Sequence, residues 1–302
     1  MEMHQLRYVA AVARTGNFSR AAEQCHVAQP SLSQQIHKLE EELGERLFDR
    51  MRRNAKLTPA GEAFLPRALR ILAEVDAALR EAQETQELSR GQITLGALPT
   101  IAPYLLGNTL AQFGKRFPNI QVTVQEDTTA QLLKLLEACE LDFAITSLPI
   151  NNDRFETRLL FTEELLLAIP LRHPLASQRT IRIADVEHEK FIILKEGHCL
   201  GDQVLRFCSR NDSNPQISCR SAQIETIKAL VHSGLGISLI PRMAVPAGSG
   251  KQIRFRSFAP PRPERAVAAV WLQNRPPSRA ARELLGLLPQ KSLPTKIDQE
   301  VR

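Results

Sequence analysis

Apolar residues in the first 45 positions recur at helical spacing and predict three short helices. The first helix ends near Gly16, and Ser19 is a candidate N-cap for a second helix over residues 20–24. Residues 25–29 form the following turn, and Pro30 suits the first position of a third helix. The apolar positions that define the first and third helices are Leu6, Val9, Ala10, Val12, Ala13, Leu32, Ile36 and Leu39.

A basic hairpin and a long helix are predicted next. Residues 46–58, interrupted by Arg52-Arg53-Asn54, are typical of a small β-hairpin, or wing. From Thr58-Pro59 to about Leu88 the pattern is helical, and Pro66 should kink this helix near its start. Its apolar residues follow a heptad spacing that suits a dimer seam, although a single amphipathic helix is the alternative. The heptad positions are Leu65, Ala68, Leu72, Val75, Leu79 and Ala82.

Beyond Gly91 the pattern changes to short apolar strands that alternate with helices. This alternation predicts an α/β domain with a largely parallel sheet, and residues 91–302 suffice for two Rossmann-like lobes, as in periplasmic binding proteins, with a ligand cleft between them. Strands are predicted over Gln92–Leu98, Ile120–Glu126, Asp142–Ser147, Leu165–Pro170 and Phe191–Leu194, and helices over Ile101–Arg116, Thr129–Ala138 and Ala222–Ser233. The predicted domains are therefore 1–58, 59–90 and 91–302.

Composition excludes a disordered or rod-like chain. The 302 residues are 43% hydrophobic and 24% charged. No secretory leader opens the sequence and no uninterrupted apolar run reaches about 18 residues, so we expect a cytoplasmic protein without a membrane partner. The net charge of +6 permits a nucleic-acid partner, but residues 1–90 carry equal numbers of basic and acidic side chains. The local distribution of charge, rather than the net charge, must therefore indicate whether the chain binds nucleic acid.

The first three helices and the wing predict a DNA-binding surface. Ala21 and Ala22 are small enough to let two helices cross closely, as in a helix-turn-helix. Polar residues on the outer face of the third helix can then reach base edges or phosphates in a major groove, although a merely solvated face has the same appearance. The wing arginines can enter a minor groove or pair with phosphates, with Arg53 at the tip. The candidate residues are Gln29, Pro30, Ser31, Ser33, Gln34, Lys38, Arg50, Arg52 and Arg53.

These segments resemble the LysR-type transcriptional regulators. The resemblance implies a winged helix-turn-helix, a linker helix and a two-lobed effector domain, assembled as a dimer of dimers on promoter DNA. It lies in Ala21-Ala22, Gln29-Pro30-Ser31-Leu32-Ser33, Ile36-His37-Lys38-Leu39-Glu40, Leu57-Thr58-Pro59-Ala60-Gly61, His173-Pro174-Leu175 and Gly234-Leu235-Gly236-Ile237-Ser238-Leu239-Ile240-Pro241.

Two cysteines nine positions apart are the candidate chemistry of the effector domain. The apolar stripe Leu200, Val204, Phe207 predicts a helix that begins near Cys199, and its N-terminus and a nearby cation should lower the pKa of that thiol. Along this helix Cys208 lies about 13 Å away on the opposite face, whereas a disulfide needs Cα atoms within about 7 Å. Pairing would therefore unravel the helix. Two such cysteines are more often ordinary buried thiols.

The same stretch resembles the peroxide-sensing OxyR group of the LysR family. The resemblance implies a peroxidatic Cys199, a resolving Cys208 and a pocket for hydrogen peroxide. Gly201 departs from the basic residue expected there, which leaves the local helix stability open. The pocket residues that match the group are Thr100, Thr129, His198 and Arg265.

The remaining cysteines and the histidines carry no competing assignment. Cys25, Cys139 and Cys219 are interpreted as packing residues, and the five cysteines have no spacing for a disulfide scaffold or zinc. Adjacent His198 and Cys199 seldom present both side chains to one substrate, so a Cys/His hydrolase is not favoured. No metal or cofactor is predicted.

The sequence thus predicts a homotetrameric, non-enzymatic regulator that binds promoter DNA, senses hydrogen peroxide and acts through RNA polymerase. Two alternatives stay open. One is a LysR-type regulator whose inter-lobe cleft binds a small metabolite, with incidental cysteines. The other treats residues 91–302 as a two-lobed solute-binding protein, against which the helix-turn-helix and the absent leader argue.

Overall fold

The chain divides into two compact units. The computed structural model describes residues 1–49, 55–83, 91–195, 199–210, 216–246 and 252–290. One unit comprises Met1–Glu87 with Glu137–Glu140, and the other Leu88–Leu136 with Leu141–Arg302. The division into 1–58, 59–90 and 91–302 stays a prediction. Among the helices of the described part, none has the combined length and hydrophobicity that crossing a bilayer requires.

The N-terminal unit is a helical cluster with a small hairpin, as the sequence pattern predicts. Its core includes Ala21 and Ala22, both buried, which confirms the close helix crossing expected of small side chains. The strands of the hairpin are antiparallel. The elements are α1 (Met3–Thr15), α2 (Phe18–Gln24), α3 (Gln29–Leu43), β1 (Phe48–Asp49), β2 (Lys56–Leu57) and α4 (Pro59–Gln83).

Two predicted helix starts in this unit are wrong by one or two residues. Asn17, not Ser19, caps α2, because its side-chain oxygen accepts hydrogen bonds from the backbone N–H groups of Ser19 at 2.8 Å and Arg20 at 3.2 Å. Gly16, in the left-handed region at φ 64°, ends α1 directly before this cap. The third helix starts at Gln29, so Pro30 occupies its second position.

A buried carboxylate connects α3 to the wing. Glu40 is 5% exposed, and its Oε1 accepts hydrogen bonds from the backbone N–H groups of Leu47 at 2.9 Å and Phe48 at 3.2 Å. A buried charge of this kind is stabilised by the hydrogen bonds it accepts. The start of the wing is therefore fixed relative to α3.

The long helix α4 confirms the helical prediction for the segment after Pro59. Pro66 lies inside it. Ala68 is fully buried, whereas Leu79 is 54% exposed and Ile71 39% exposed. The helix thus packs on its own unit near its start and leaves large apolar side chains in solvent further along. The side chain of Ala82, the last predicted heptad position, lies outside the described part.

The C-terminal unit contains an eight-stranded mixed sheet, which corrects the expectation of a largely parallel one. β3 pairs in parallel with β4 and β5, but β12 runs antiparallel to both β5 and β6. The order is β4-β3-β5-β12-β6-β11-β7, with β10 also paired to β6. The strands are β3 (Gly91–Ala97), β4 (Ile120–Glu126), β5 (Phe143–Ser147), β6 (Phe155–Pro170), β7 (Thr180–Ile181), β10 (Ser238–Pro241), β11 (Ile253–Phe258) and β12 (Glu264–Leu272).

The 16-residue strand β6 connects the two halves of this unit. Its first part, through Glu164, pairs with β12, and its second part, from Leu165, pairs with β10 and β11. Only Leu165–Pro170 was predicted from the sequence, because Glu156, Glu163 and Glu164 interrupt the apolar pattern of the first part. The change of partner places the Glu163-Glu164 pair where the two halves meet.

Helices and a second sheet complete the C-terminal unit. β8 (Lys190–Leu194) and β9 (Gln216–Ser221) form a parallel pair, and Cys219 lies in a strand as predicted. One apolar core joins the second part of β6 to β8, α7 and α8. The helices are α5 (Ala102–Arg116), α6 (Thr129–Glu137), α7 (Cys199–Arg210), α8 (Ile224–His232) and α9 (Arg279–Leu287).

Candidate functional site

The predicted helix at the cysteines is present, and Cys199 is its first residue. Leu200 and Val204 are buried and Phe207 packs against the same core, as the apolar stripe predicts. Gly201 allows a close approach to β8, since a Cβ added there would lie 2.7 Å from the carbonyl oxygen of Leu194. His198 lies outside the described residues.

A buried guanidinium supplies the positive charge near Cys199. Arg265, on β12, is fully buried and donates from Nε to Glu163 Oε1 at 2.7 Å. Its two terminal nitrogens donate to Thr100, one to Oγ1 and one to the carbonyl oxygen, each at 3.0 Å. Thr100 is itself buried in the turn after β3. The predicted pair Thr100 and Arg265 is thus brought into direct contact.

Burial raises the pKa of the Cys199 thiol above its ordinary value. The Arg265 charge lowers it, and so do the Thr129 hydroxyl and the backbone N–H of Leu200, while Asp202 raises it. The predicted net lowering at the helix N-terminus is therefore wrong, because desolvation of a thiolate in this half-buried position outweighs the favourable charge. The predicted nearby cation is present as Arg265.

The predicted residue Thr129, first in α6, lies beside the thiol. Its hydroxyl favours the Cys199 thiolate. The same oxygen is buried and has no hydrogen-bond partner of standard geometry within the described part of the chain. The contact with the thiol is therefore a loose one, and the hydroxyl retains capacity for a small polar ligand.

Cys208 is fully buried on the opposite side of α7 from Cys199. Desolvation raises the pKa of its thiol to about 11. Both thiols are free, and intact helix separates them. The inward position of Cys208 confirms the expectation from the apolar stripe.

Two further polar residues at this site were missed by sequence reasoning. Gln203 donates from Nε2 to Ser147 Oγ at 2.7 Å and to the carbonyl oxygen of Leu148 at 3.3 Å, which ties α7 to the end of β5. Glu163 holds Arg265. Neither has a sequence signal, because both depend on strands that are distant along the chain. A pocket of about 460 Å³ lies beside Gln203, lined also by Pro149, Arg206, Phe207, Arg262 and Glu264.

The predicted DNA-contacting residues of α3 share one accessible face. Leu32, Ile36 and Leu39 are fully buried, which fixes the opposite face of the helix toward solvent. Ser33 is half-buried at its edge. The exposed members are Gln29, Pro30, Ser31, Gln34 and Lys38. The wing residues Arg50, Arg52 and Arg53 lie outside the described residues.

Two family comparisons agree with this arrangement. Residues 3–62 match the bacterial regulatory helix-turn-helix protein of the lysR family, and residues 86–292 match the LysR substrate binding domain. The chain therefore belongs to the LysR family of bacterial regulators.

Within that family the chain is similar to OxyR proteins, as its motifs predict. It is 35% identical over 277 residues to the DNA-binding transcriptional dual regulator OxyR of Escherichia coli K12, with 91% of each chain covered. It is 35% identical to a probable hydrogen peroxide-inducible genes activator of Mycobacterium avium, covering 94% of this chain and 92% of that one. Full-length OxyR C199D from Pseudomonas aeruginosa has a TM-score of 0.81 at 33% identity, with 95% and 94% covered.

Proposed function

We propose that this protein is a DNA-binding transcriptional regulator that senses hydrogen peroxide through Cys199 and Cys208. The observation that carries the proposal is the position of Cys199, at the start of α7 beside the Thr129 hydroxyl and within the field of buried Arg265. Relatives named as hydrogen peroxide-inducible activators support the same signal. Thr100 and His198 complete the proposed peroxide pocket.

The proposed chemistry proceeds in two steps. The Cys199 thiolate attacks one peroxide oxygen, the O–O bond breaks, and the departing hydroxide takes a proton to leave as water, with sulfenic acid on Cys199. The Cys208 sulfur then attacks the Cys199 sulfur, the S–O bond breaks, and the hydroxyl group leaves as a second water with the proton that the Cys208 thiol gives up, while the disulfide forms. The Arg265 charge stabilises the thiolate that begins the sequence.

Disulfide formation couples this chemistry to the fold. Nine residues of helix separate the two cysteines, so their Cα atoms are about 13 Å apart by helical rise, too far for an S–S bond. At least part of α7 must therefore unwind, and this helix carries Leu200 and Val204 of the core and the Gln203 contacts with β5. The regulatory unit is thus remodelled by oxidation.

The output of the switch is proposed to be a change in promoter binding. The exposed face of α3, together with Arg50, Arg52 and Arg53, would contact double-stranded DNA. The apolar side chains Ile71 and Leu79 of α4 support association of chains along this helix. A homotetramer, recruitment of RNA polymerase, cytoplasmic location and the absence of enzymatic turnover belong to the same proposal.

A second candidate function uses the pocket beside Gln203. Its volume of about 460 Å³ and its mixed lining suit a small metabolite, which would bind between residues of both halves of the C-terminal unit. In that case the cysteines are ordinary packing residues. The two candidates differ in their response to peroxide.

Peptide mass spectrometry without reductant tests the proposal. Reduced full-length protein is treated with near-stoichiometric hydrogen peroxide and digested with trypsin. Cleavage after Lys195 and Arg206 places the two cysteines on different peptides. A Cys199–Cys208 disulfide therefore appears as a covalent link between these two peptides. We expect a Cys199–Cys208 linkage that dithiothreitol reverses, and Cys199→Ser should abolish it together with the transcriptional response. Cys219→Ser is the matched control.

Free thiols after peroxide, or a different cysteine pair, would contradict the redox switch. An unchanged transcriptional response in Cys199→Ser would contradict it equally. Either result would favour the metabolite-binding regulator, whose test is a ligand screen on the pocket beside Gln203.

A further inference from the structure

The buried carboxylate of Glu163 is the charged group nearest to Arg265 that the proposed chemistry leaves unused. Glu163 lies directly opposite Arg265 in the β6–β12 pair, so both side chains extend from the same face of the sheet. Arg265 Nε and Glu163 Oε1 are 2.7 Å apart, and both side chains are 0% exposed. The other oxygen accepts a hydrogen bond from the backbone N–H of Met243 at 2.9 Å. The carboxylate is therefore held at both oxygens.

This carboxylate opposes the effect of Arg265 on the thiol. Within the described part of the chain the guanidinium donates hydrogen bonds to Glu163 and Thr100, and Arg265 acts on Cys199 through its charge. A negative charge in contact with the guanidinium weakens the field felt by a more distant group, and in a water-poor interior little else screens it. Glu163 thus reduces the stabilisation of a Cys199 thiolate while it keeps Arg265 in place.

We propose that Glu163 is a positioning residue for the Cys199 thiol. It orients Arg265 and offsets part of its charge, so that this carboxylate sets the fraction of Cys199 present as thiolate and, with it, the peroxide concentration at which the protein responds. The second half of this inference rests on the proposed function. The first half concerns only the acidity of Cys199, which can be measured without peroxide.

The charged groups that act on Cys199 are few among the described residues. Arg265 favours the thiolate from β12, and Asp202 opposes it from α7 itself. Tyr104, on α5, also interacts with Arg265, but its pKa is raised so far that it stays neutral over the working pH range. A change at Glu163 therefore alters the net charge of the ion pair that contains Arg265, the cation that favours the thiolate.

The neighbouring residue provides a matched control. Glu164 is also buried and also forms an ion pair, with Arg242 at 2.6 Å, but its side chain points to the opposite face of β6. Glu164→Gln therefore removes the same charge and the same kind of contact from the same strand. It leaves the Arg265 pair intact.

The experiment measures the rate of Cys199 alkylation by iodoacetamide against pH in the full-length protein. Peptide mass spectrometry follows the tryptic fragment after Lys195 separately from that of Cys208. In Glu163→Gln we expect the profile to move to lower pH, and alkylation of Cys199 at pH 7 should be several-fold faster than in the wild type. In Glu164→Gln the profile should coincide with that of the wild type.

An unchanged profile in Glu163→Gln, or a move to higher pH, would overturn the inference. Glu163→Asp covers the case in which the glutamine variant does not fold. It keeps the charge but withdraws it from Arg265 by about one C–C bond, 1.5 Å, so a smaller move to lower pH is expected and an unmoved profile would overturn the inference. If the wild type forms no sulfenic acid or disulfide at Cys199 with peroxide, the proposed function fails while the alkylation result still stands.

Discussion

Gly201→Ala tests the coupling between the fold of α7 and the redox state of its cysteines. The added methyl carbon would lie 2.7 Å from the carbonyl oxygen of Leu194, whereas ordinary contact begins at 3.4 Å. Either α7 or β8 must therefore move by about 0.7 Å, the difference between these distances. Overpacking of this kind destabilises the folded state by about 1–3 kcal/mol, and replacing a helical glycine by alanine stabilises it by about 1 kcal/mol. The net expectation is that the reduced state is destabilised by about 1 kcal/mol.

The disulfide form should not share this cost, because the proposed Cys199–Cys208 disulfide would unwind α7 and remove the contact. For a two-electron couple 1.4 kcal/mol corresponds to 30 mV, so the reduction potential of the Cys199–Cys208 pair should fall by about 20 mV. The assay is redox titration against glutathione or dithiothreitol buffers, read by peptide mass spectrometry, with thermal unfolding of the reduced protein alongside.

The control is Gly107→Ala, since Gly107 lies within α5 and an added Cβ there meets no atom within 4 Å. Gly107→Ala should raise the free energy of unfolding by about 0.5–1 kcal/mol and leave the reduction potential of the Cys199–Cys208 pair unchanged. A Gly201→Ala protein with wild-type stability and potential would refute the reasoning. A lower stability without a change in potential would show that the Gly201 contact persists in the oxidised form.

Three further outcomes follow from contacts elsewhere in the chain. Lys38→Ala should lower DNA affinity and reduce the slope of log affinity against log salt by about one, as titrated by fluorescence anisotropy; an unchanged slope would exclude a phosphate contact. Glu40→Ala should lower stability by about 1–3 kcal/mol, because it leaves two buried backbone N–H groups of the wing without their acceptor, and an unchanged melting temperature would contradict this. The hydrogen bond from Lys228 holds the pKa of Glu225 below its usual value, so stability is gained above the ordinary glutamate pKa and lost as pH falls through the lowered one. Glu225→Gln should therefore lose less stability than wild type between about pH 5 and pH 3, and parallel losses would exclude the contribution.

The sequence predicted the N-terminal helices well because each depends on its own residues. Apolar spacing located α1 and α3, and a left-handed glycine such as Gly16 ends a helix whatever surrounds it. The error at α2 was local as well: Asn17 and Ser19 are both good caps, and only the backbone geometry selects between them.

The sheet was predicted less well because strand pairing is not local. β12 was not predicted, and its antiparallel pairing with both β5 and β6 makes the sheet mixed. The end of the first half of β6 is polar in sequence because Glu163 pairs there with the buried Arg265, and Glu164 with the half-buried Arg242. Ion pairs across strands leave no periodic signal in either segment.

What the sequence determined by itself was the order of the N-terminal elements, the helix that begins at Cys199 and, through its motifs, the family. Helix periodicity and nine-residue spacing alone require that a Cys199–Cys208 disulfide unwinds α7. Only the tertiary structure decided the acidity of the reduced Cys199 thiol. The burial of the thiol, the charge of Arg265 and the loose contact with Thr129 come from separate elements, and their balance raises the pKa that a helix N-terminus alone would lower. Electrostatic energies depend on distances and burial in three dimensions, which the linear order of residues does not contain.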